Sequence, residues 1–172
     1  MGVYGGPNKV KGGIVFSLDG ANPASYAGDE PAPAGTDYGY FGGGGPSSGI
    51  STVDRIDFDN DTATASAKGP LSQKRSWPAS TGNQSYGYWS GGTTPSTTSS
   101  VDRVDYSSDT GTAAPKGQLS ITRKWSTATG NASYGYLGGG HNGSSDVSSV
   151  DRIDYSSDTS TAAPKGPLTV TR

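Results

Sequence analysis

One unit of about 48 residues is repeated along this chain, and no other feature limits its possible folds as strongly. A Tyr-Gly-Tyr motif followed within three residues by glycine occurs three times at intervals of 48 residues, beginning at Tyr38, Tyr86 and Tyr134. Val-Asp-Arg triplets follow at intervals of 48 and then 49 residues, beginning at Val53, Val101 and Val150. A period of this length is typical of propellers and solenoids, in which each unit is one supersecondary element.

The composition favours a folded β-rich repeat over a disordered chain. Glycine supplies 28 of the 172 residues and only 30% of the chain is hydrophobic, which agrees with either state. Disordered chains, however, have few aromatic residues and a high net charge. Here ten Tyr, three Trp and three Phe are present, and they recur in register with the repeat.

Charge and residue usage exclude several classes of function. The formal net charge is −2 and the pI is near 5.2, so the basic field that holds nucleic acid or anionic lipid is absent. The chain has no cysteine and a single histidine, His141, which argues against thiolate metal sites, His-based metal sites and a catalytic triad. No apolar run approaches the roughly 20 residues of a membrane helix. We therefore expect no cofactor, no nucleic acid partner and no membrane insertion.

The sequence divides into a leader and a repeat region. Residues 1–37 do not belong to the repeat; they contain one short predicted strand, 13–18, and then an extended tether rich in Pro, Gly and Ala. Residues 38–172 hold three copies, near 38–85, 86–133 and 134–172.

Alternation of side chains and turn residues predict four short antiparallel strands in each copy. In the first copy they are expected near residues 38–42, 52–58, 62–67 and 75–81, and they repeat every 48 residues. The segment after the Val-Asp-Arg strand is expected to form an Asx turn on Asp109.

Four large side chains are predicted to lie in the interior, namely Trp77, Tyr88, Val104 and Trp125. Truncation of a buried Trp125 to alanine is then expected to cost about 3 to 5 kcal/mol. Loop residues 93–100 and 141–149 are predicted to be exposed.

The order of parts in each copy resembles the kelch repeat. An aromatic strand ends in Gly-Gly, a valine-led strand ends in Asp-Tyr or Asp-Phe, a turn follows, and a Leu-x-x-x-Arg segment closes the unit. The resemblance covers residues 38–172. It implies a kelch-like β-propeller built of four-stranded antiparallel blades, incomplete in this chain.

The leader resembles the opening of marine bacteriophage appendage and structural proteins. The residues that carry this resemblance are Gly2-Val-Tyr-Gly-Gly-Pro-Asn and Gly13-Ile14-Val-Phe16-Ser-Leu18-Asp-Gly-Ala-Asn-Pro-Ala-Ser-Tyr26. The resemblance implies a virion structural or appendage protein, either of the tail-fibre type or attached to the capsid. This protein docks on its particle through the leader, with Ile14, Phe16, Leu18 and Tyr26 as the docking residues.

Candidate recognition residues lie in the loop before each Val-Asp-Arg strand, because this loop differs in length and composition while the strands stay constant. An unconstrained loop would vary in the same way. The candidates are Pro46, Ser47, Ser48, Thr93, Thr94, Pro95, Ser96, His141, Asn142 and Gly143.

Other repeated residues are expected to be structural. Arginines of the Val-Asp-Arg strands lie two residues before an aspartate on the same strand face, and such copied pairs suit contacts between blades. The segment Asp57-Phe-Asp59-Asn-Asp61 spells the start of a calcium loop but lacks its glycine and its bidentate glutamate, so we favour a turn. The structural set comprises Tyr40, Tyr88, Tyr136, Arg55, Arg103, Arg152, Asp57, Asp105, Asp154, Trp77 and Trp125.

Two functions from different classes follow. The first is a phage virion protein whose repeats form a surface for attachment to a host protein or glycan, with other virion proteins bound through the leader. The alternative is a cytoplasmic kelch-type scaffold that binds another protein. An enzyme is not expected, because the clusters that enzymatic kelch relatives use are missing. Since propellers need about four to eight blades, we expect the repeats to be completed by further residues of a longer chain or by other subunits of a homo-oligomer.

Overall fold

The repeats fold into three antiparallel sheets. The computed structural model describes residues 38–45 and 48–172, and this part of the chain is all-β apart from three short 3-10 turns. The eleven strands of the described residues are β1 (Tyr38–Gly42), β2 (Val53–Asp57), β3 (Ser66–Lys68), β4 (Ala79–Gly82), β5 (Tyr86–Ser90), β6 (Val101–Asp105), β7 (Ala114–Lys116), β8 (Thr127–Gly130), β9 (Tyr134–Gly138), β10 (Val150–Asp154) and β11 (Ala163–Lys165). The sheets have the orders β1-β2-β3, β4-β5-β6-β7 and β8-β9-β10-β11.

Each Tyr-Gly-Tyr strand pairs with the Val-Asp-Arg strand that follows it. In the second sheet Tyr88 faces Arg103 across the β5-β6 ladder, and Tyr40 faces Arg55 at the same point of the first sheet. Strand β5 ends where Gly91 takes a φ of 66°, a left-handed conformation that glycine adopts without steric cost. The first two predicted strands of each copy are confirmed.

The third predicted strand lies later than expected. A 3-10 turn follows each Val-Asp-Arg strand, so in the first copy the strand covers Ser66–Lys68 rather than 62–67. The Asx interaction also lies elsewhere. The carboxylate of Asp105, not that of Asp109, accepts the hydrogen bond from the amide two residues on, at 2.9 Å from Ser107 N. This bond caps the turn.

The fourth predicted strand is shorter than expected and belongs to the next sheet. The sequence predicts it at 75–81, whereas β4 covers Ala79–Gly82 and pairs with β5. Each copy therefore contributes three strands to one sheet, and the segment that closes it continues into the first strand of the following sheet. Strand β4 also lies beside β8, where Thr81 Oγ1 donates to the carbonyl of Thr129 at 3.2 Å.

The hydrophobic core lies between successive sheets. Tyr88 and Val104 are 0% and 2% exposed, as predicted, and each of these side chains stabilises the fold by roughly 1.5 to 3 kcal/mol through burial. Two stacked tyrosine pairs join the sheets: Tyr40 with Tyr106 at 4.5 Å between ring centroids, and Tyr88 with Tyr155 at 4.8 Å.

The prediction that both tryptophans lie in the interior is wrong. Trp77 and Trp125 are 40% and 53% exposed, because the chain turns sharply at each of them just before a strand begins.

The leader residues Ile14, Phe16, Leu18 and Tyr26 lie outside the described residues. Within the described part no helix is long and apolar enough to cross a membrane.

Candidate functional site

The backbone of both exposed tryptophans is in the left-handed region. Trp77 has a φ of 54° and Trp125 a φ of 58°, and they are the non-glycine residues with positive φ in the described chain. Bulky side chains seldom adopt this conformation, which costs on the order of 1 to 3 kcal/mol and persists only where the surroundings enforce it. Such strain is concentrated at functional sites, so these turns are the first candidates for one.

A short backbone bridge holds each tryptophan turn against a loop. Ser76, just before Trp77, exchanges two hydrogen bonds with Thr93, at 2.9 and 3.2 Å. Lys124, just before Trp125, exchanges two with His141, at 2.8 and 3.0 Å. Thr93 and His141 begin the loops that vary between copies. The bridges therefore place a tryptophan beside each of these two loops.

The two turns bring four side chains together on one exposed surface, which we call the aromatic surface: Trp77, Lys124, Trp125 and His141. The indole rings of Trp77 and Trp125 lie 5.6 Å apart between centroids, and the imidazole of His141 meets the edge of Trp125 at 5.8 Å. The ammonium group of Lys124 lies 4.1 Å from the centre of the Trp125 ring, a cation–π contact. The tryptophans come from neighbouring repeats, so the surface spans two of them.

The loop beside Trp125 is fixed by its own hydrogen bonds. The side-chain oxygen of Asn142 accepts from the amides of Ser144 and Ser145, each at 2.9 Å. His141 Nδ1 accepts from the amide of Gly143 at 3.0 Å. A loop held in this way presents its hydroxyl and amide groups in one arrangement.

The predicted recognition residues are only partly exposed. In the second loop Pro95 and Ser96 are exposed, but Thr93 is buried because it forms the bridge to Ser76; the prediction that all of 93–100 is exposed is wrong. In the third loop Gly143 is exposed, while His141 and Asn142 are half-buried. Of the first loop, Ser48 is exposed and Pro46 and Ser47 lie outside the described residues.

The repeated arginines join one repeat to the next. Arg55 does not pair with Asp57, two residues on, but with Asp109 of the second repeat, at 2.8 Å. The same carboxylate accepts from the Tyr40 hydroxyl at 2.9 Å and lies 3.5 Å from Lys68 Nζ. We call Tyr40, Arg55 and Lys68 the first carboxylate site.

The second carboxylate site repeats this geometry. Tyr88, Arg103 and Lys116 contact Asp158 of the third repeat at 2.8, 2.8 and 3.2 Å. Burial and the hydrogen bond to Asp158 raise the pKa of Tyr88 well above its usual value. Burial acts to lower the pKa of Arg103, but the contacts with Asp158 and Tyr88 outweigh it and raise that pKa.

The arginines that close the Leu-x-x-x-Arg segments of the first two copies are fully buried. Arg75 lies 3.1 Å from the carboxylate of Asp102, and Arg123 lies 3.2 Å from that of Asp151. Burial lowers the pKa of both arginines in spite of these partners. The sequence signal for these contacts is a serine three residues before the arginine, Ser72 in the first copy and Ser120 in the second. Each serine donates to the aspartate that pairs with its arginine.

The calcium-like segment at residues 57–61 forms a turn in the structure. Asp57, in the calcium-like segment, caps its turn by accepting from the amide of Asp59 at 2.9 Å, and the described residues contain no cluster of three or more metal-binding side chains. A groove of about 350 Å³ between β1 and β5 is lined mainly by apolar residues such as Phe41, Phe58 and Trp89.

Comparison of the chain with models of known protein families gives no match, and a search among curated proteins gives none either.

Proposed function

We propose that this chain is a binding module of a phage virion appendage, whose kelch-like, propeller-type repeats present the aromatic surface to a glycan on the host. The observation that supports this most directly is the pair of exposed tryptophans in left-handed backbone conformations. A folded chain gains little from half-exposed indoles in strained turns, so selection for binding explains them better than selection for stability.

A carbohydrate suits the chemistry of the surface. The C–H face of a sugar ring is flat and packs on an indole. The two indoles lie 5.6 Å apart between centroids and are inclined at 58°, so they offer faces at an angle to two neighbouring sugar rings. Hydroxyl and amide groups of the bordering loops supply the hydrogen bonds that sugar hydroxyls require. Aromatic anchors surrounded by Ser, Thr, Gly and Asn are also the composition of many recognition surfaces.

The virion assignment is supported by the leader, which resembles the opening of phage appendage proteins. In this proposal Ile14, Phe16, Leu18 and Tyr26 bind other virion proteins, and the repeats face outward. A binding role is preferred to catalysis because His141 uses Nδ1 within its own loop and packs against Trp125. Detection of the protein in purified phage particles by mass spectrometry tests the virion assignment. Its presence only in the cytoplasm of a cell supports the scaffold alternative.

Binding of the full chain to an array of host-surface oligosaccharides tests the ligand class. We expect wild type to bind a subset of glycans, Trp125→Ala to lose that binding, and Trp125→Phe to keep most of it because a flat ring remains. Thermal unfolding of each variant controls for folding. Unchanged glycan binding in Trp125→Ala contradicts the proposal, and binding to host proteins alone favours the kelch-type scaffold.

A further inference from the structure

The third repeat carries a carboxylate site that holds no carboxylate among the described residues. Tyr136, Arg152 and Lys165 occupy the positions that Tyr88, Arg103 and Lys116 occupy in the second site. No acidic side chain of residues 38–45 or 48–172 forms an ion pair with Arg152 or Lys165 at this position, and the hydroxyl of Tyr136 donates to no described residue.

This third carboxylate site has the same internal arrangement as the two filled ones. The guanidinium of Arg152 lies over the ring of Tyr134 at 4.3 Å, as Arg103 lies over Tyr86 at 4.1 Å. Arg152 therefore already has the position in which its counterpart binds Asp158. A site preorganised in this way gives up little side-chain entropy on binding.

A glycine next to the third site points to docking of a backbone turn. At the first two junctions the glycine after the site's lysine donates its amide to the incoming aspartate carbonyl: Gly69 to Asp109 and Gly117 to Asp158, both at 2.8 Å. A β-carbon at either glycine would overlap a backbone carbonyl of the incoming turn, that of Gly111 or Ser160. The equivalent residue, Gly166, has nothing within 4 Å of such a β-carbon.

The first repeat presents the matching turn. Asp61 is its counterpart of Asp109 and Asp158; it is exposed and pairs with no cation among the described residues. Phe58 is the counterpart of Tyr106 and Tyr155, which stack on the tyrosines of the first two sites, and it is 43% exposed. The first repeat thus presents an acidic and an aromatic side chain, and the third repeat presents basic and aromatic side chains at the matching positions.

We propose that the third carboxylate site binds the Asp61 turn of a second copy of this chain, so that copies associate head to tail. Asp61 contacts Tyr136, Arg152 and Lys165 of its neighbour, Phe58 stacks on Tyr136, and the amide of Gly166 donates to the carbonyl of Asp61. The interface is heterologous, so it generates a ring or a filament. This proposal is independent of the ligand bound at the aromatic surface.

Sedimentation velocity of the full chain over a range of concentrations tests the proposal. We expect wild type to self-associate and Gly166→Ala to do so roughly tenfold more weakly or worse, because the methyl group overlaps the docking turn. Since that methyl group meets nothing within one chain, thermal unfolding of monomeric Gly166→Ala should match wild type. The matched control is Gly111→Ala, which should associate normally because the other copies have Ala63 and Ser160 at this position.

A complementation experiment shows whether the predicted residues form the interface. Arg152→Glu alone and Asp61→Lys alone should each stay monomeric, since like charges then meet at the junction. Mixed at equal amounts they should associate, because Asp61 of the first variant meets the intact site of the second. A monomeric wild type overturns the proposal, as does a wild-type oligomer that Gly166→Ala and both charge variants leave intact.

Discussion

Among single residues, Trp77 and Trp125 stand out because they are large aromatic side chains at a repeated position and yet are exposed. A large aromatic at a repeated position normally indicates a buried core residue, and that expectation fails because Trp77 and Trp125 occupy left-handed turns at the surface. The aromatic residues that do fill the core include strand tyrosines, and Tyr88 is fully buried. Backbone conformation, rather than hydrophobicity, decides where the indoles lie.

Trp125→Gly should therefore change the free energy of unfolding by less than about 1 kcal/mol. Glycine relieves the left-handed strain, and this gain offsets the modest burial that a half-exposed indole contributes. Urea denaturation measures the effect, while glycan binding by the same variant should be lost. A destabilisation of about 3 to 5 kcal/mol, typical of removing a buried tryptophan, would contradict the surface role.

At the scale of elements, the segments that close each repeat attach one sheet to the next. The segment after β3 passes beside β6, where Asp102 accepts from the amide of Ser72 at 2.9 Å and pairs with buried Arg75. Arg75 also donates to the carbonyl of Gly91 at 3.0 Å, where β5 ends. These contacts fix the closing segment before it turns at Trp77, so they also position the aromatic surface.

Asp102→Asn should destabilise the fold by about 3 kcal/mol, because it leaves the guanidinium of Arg75 buried without a countercharge. Asp59→Asn is the matched control: Asp59 is exposed, and its substitution should change stability by less than about 0.5 kcal/mol. Chemical denaturation of both variants measures the difference. Equal stabilities would show that the buried pair is dispensable.

At the scale of the whole molecule, each sheet is held to the next by a stacked tyrosine pair and a carboxylate site. Burial, followed by the hydrogen bond to Asp109, raises the pKa of Tyr40 well above its usual value, and Tyr88 is raised in the same way by burial and Asp158. Because the pKa of these tyrosines is higher in the folded state, their neutral hydroxyls contribute full stabilisation at any pH below the pKa of tyrosine in the unfolded chain, which is about 10. That stabilisation is lost as the pH rises above it.

The unfolding midpoint should therefore fall as the pH rises above about 10. In Tyr88→Phe the fall should be shallower, because one of the two hydroxyls whose ionisation opposes folding is gone, although the variant starts from a lower stability at neutral pH. Urea midpoints measured between about pH 8 and 11 compare the two proteins. Identical slopes above pH 10 would contradict the role assigned to Tyr88.

The period, the all-β class and the first two strands of each copy are predictable from the sequence, because alternation and glycine turns are local signals that the repeat presents three times. The sequence also predicts a structural role for Tyr40, Tyr88, Arg55 and Arg103. It did not identify their carboxylate partners, since Asp109 lies 54 residues from Arg55 and the nearer Asp57 satisfies the same pattern.

Tertiary packing sets which aromatic residues are buried, which sheet β4 and β8 join, and which carboxylate site stays unfilled among the described residues. Each of these depends on contacts between repeats that are distant in sequence. The left-handed turns at Trp77 and Trp125 are held by bridges from the preceding residue to a residue 17 positions further along the chain, and no local preference of tryptophan would indicate them. The sequence therefore specified the repeating unit, and the packing of one unit against the next created the surfaces on which function is proposed.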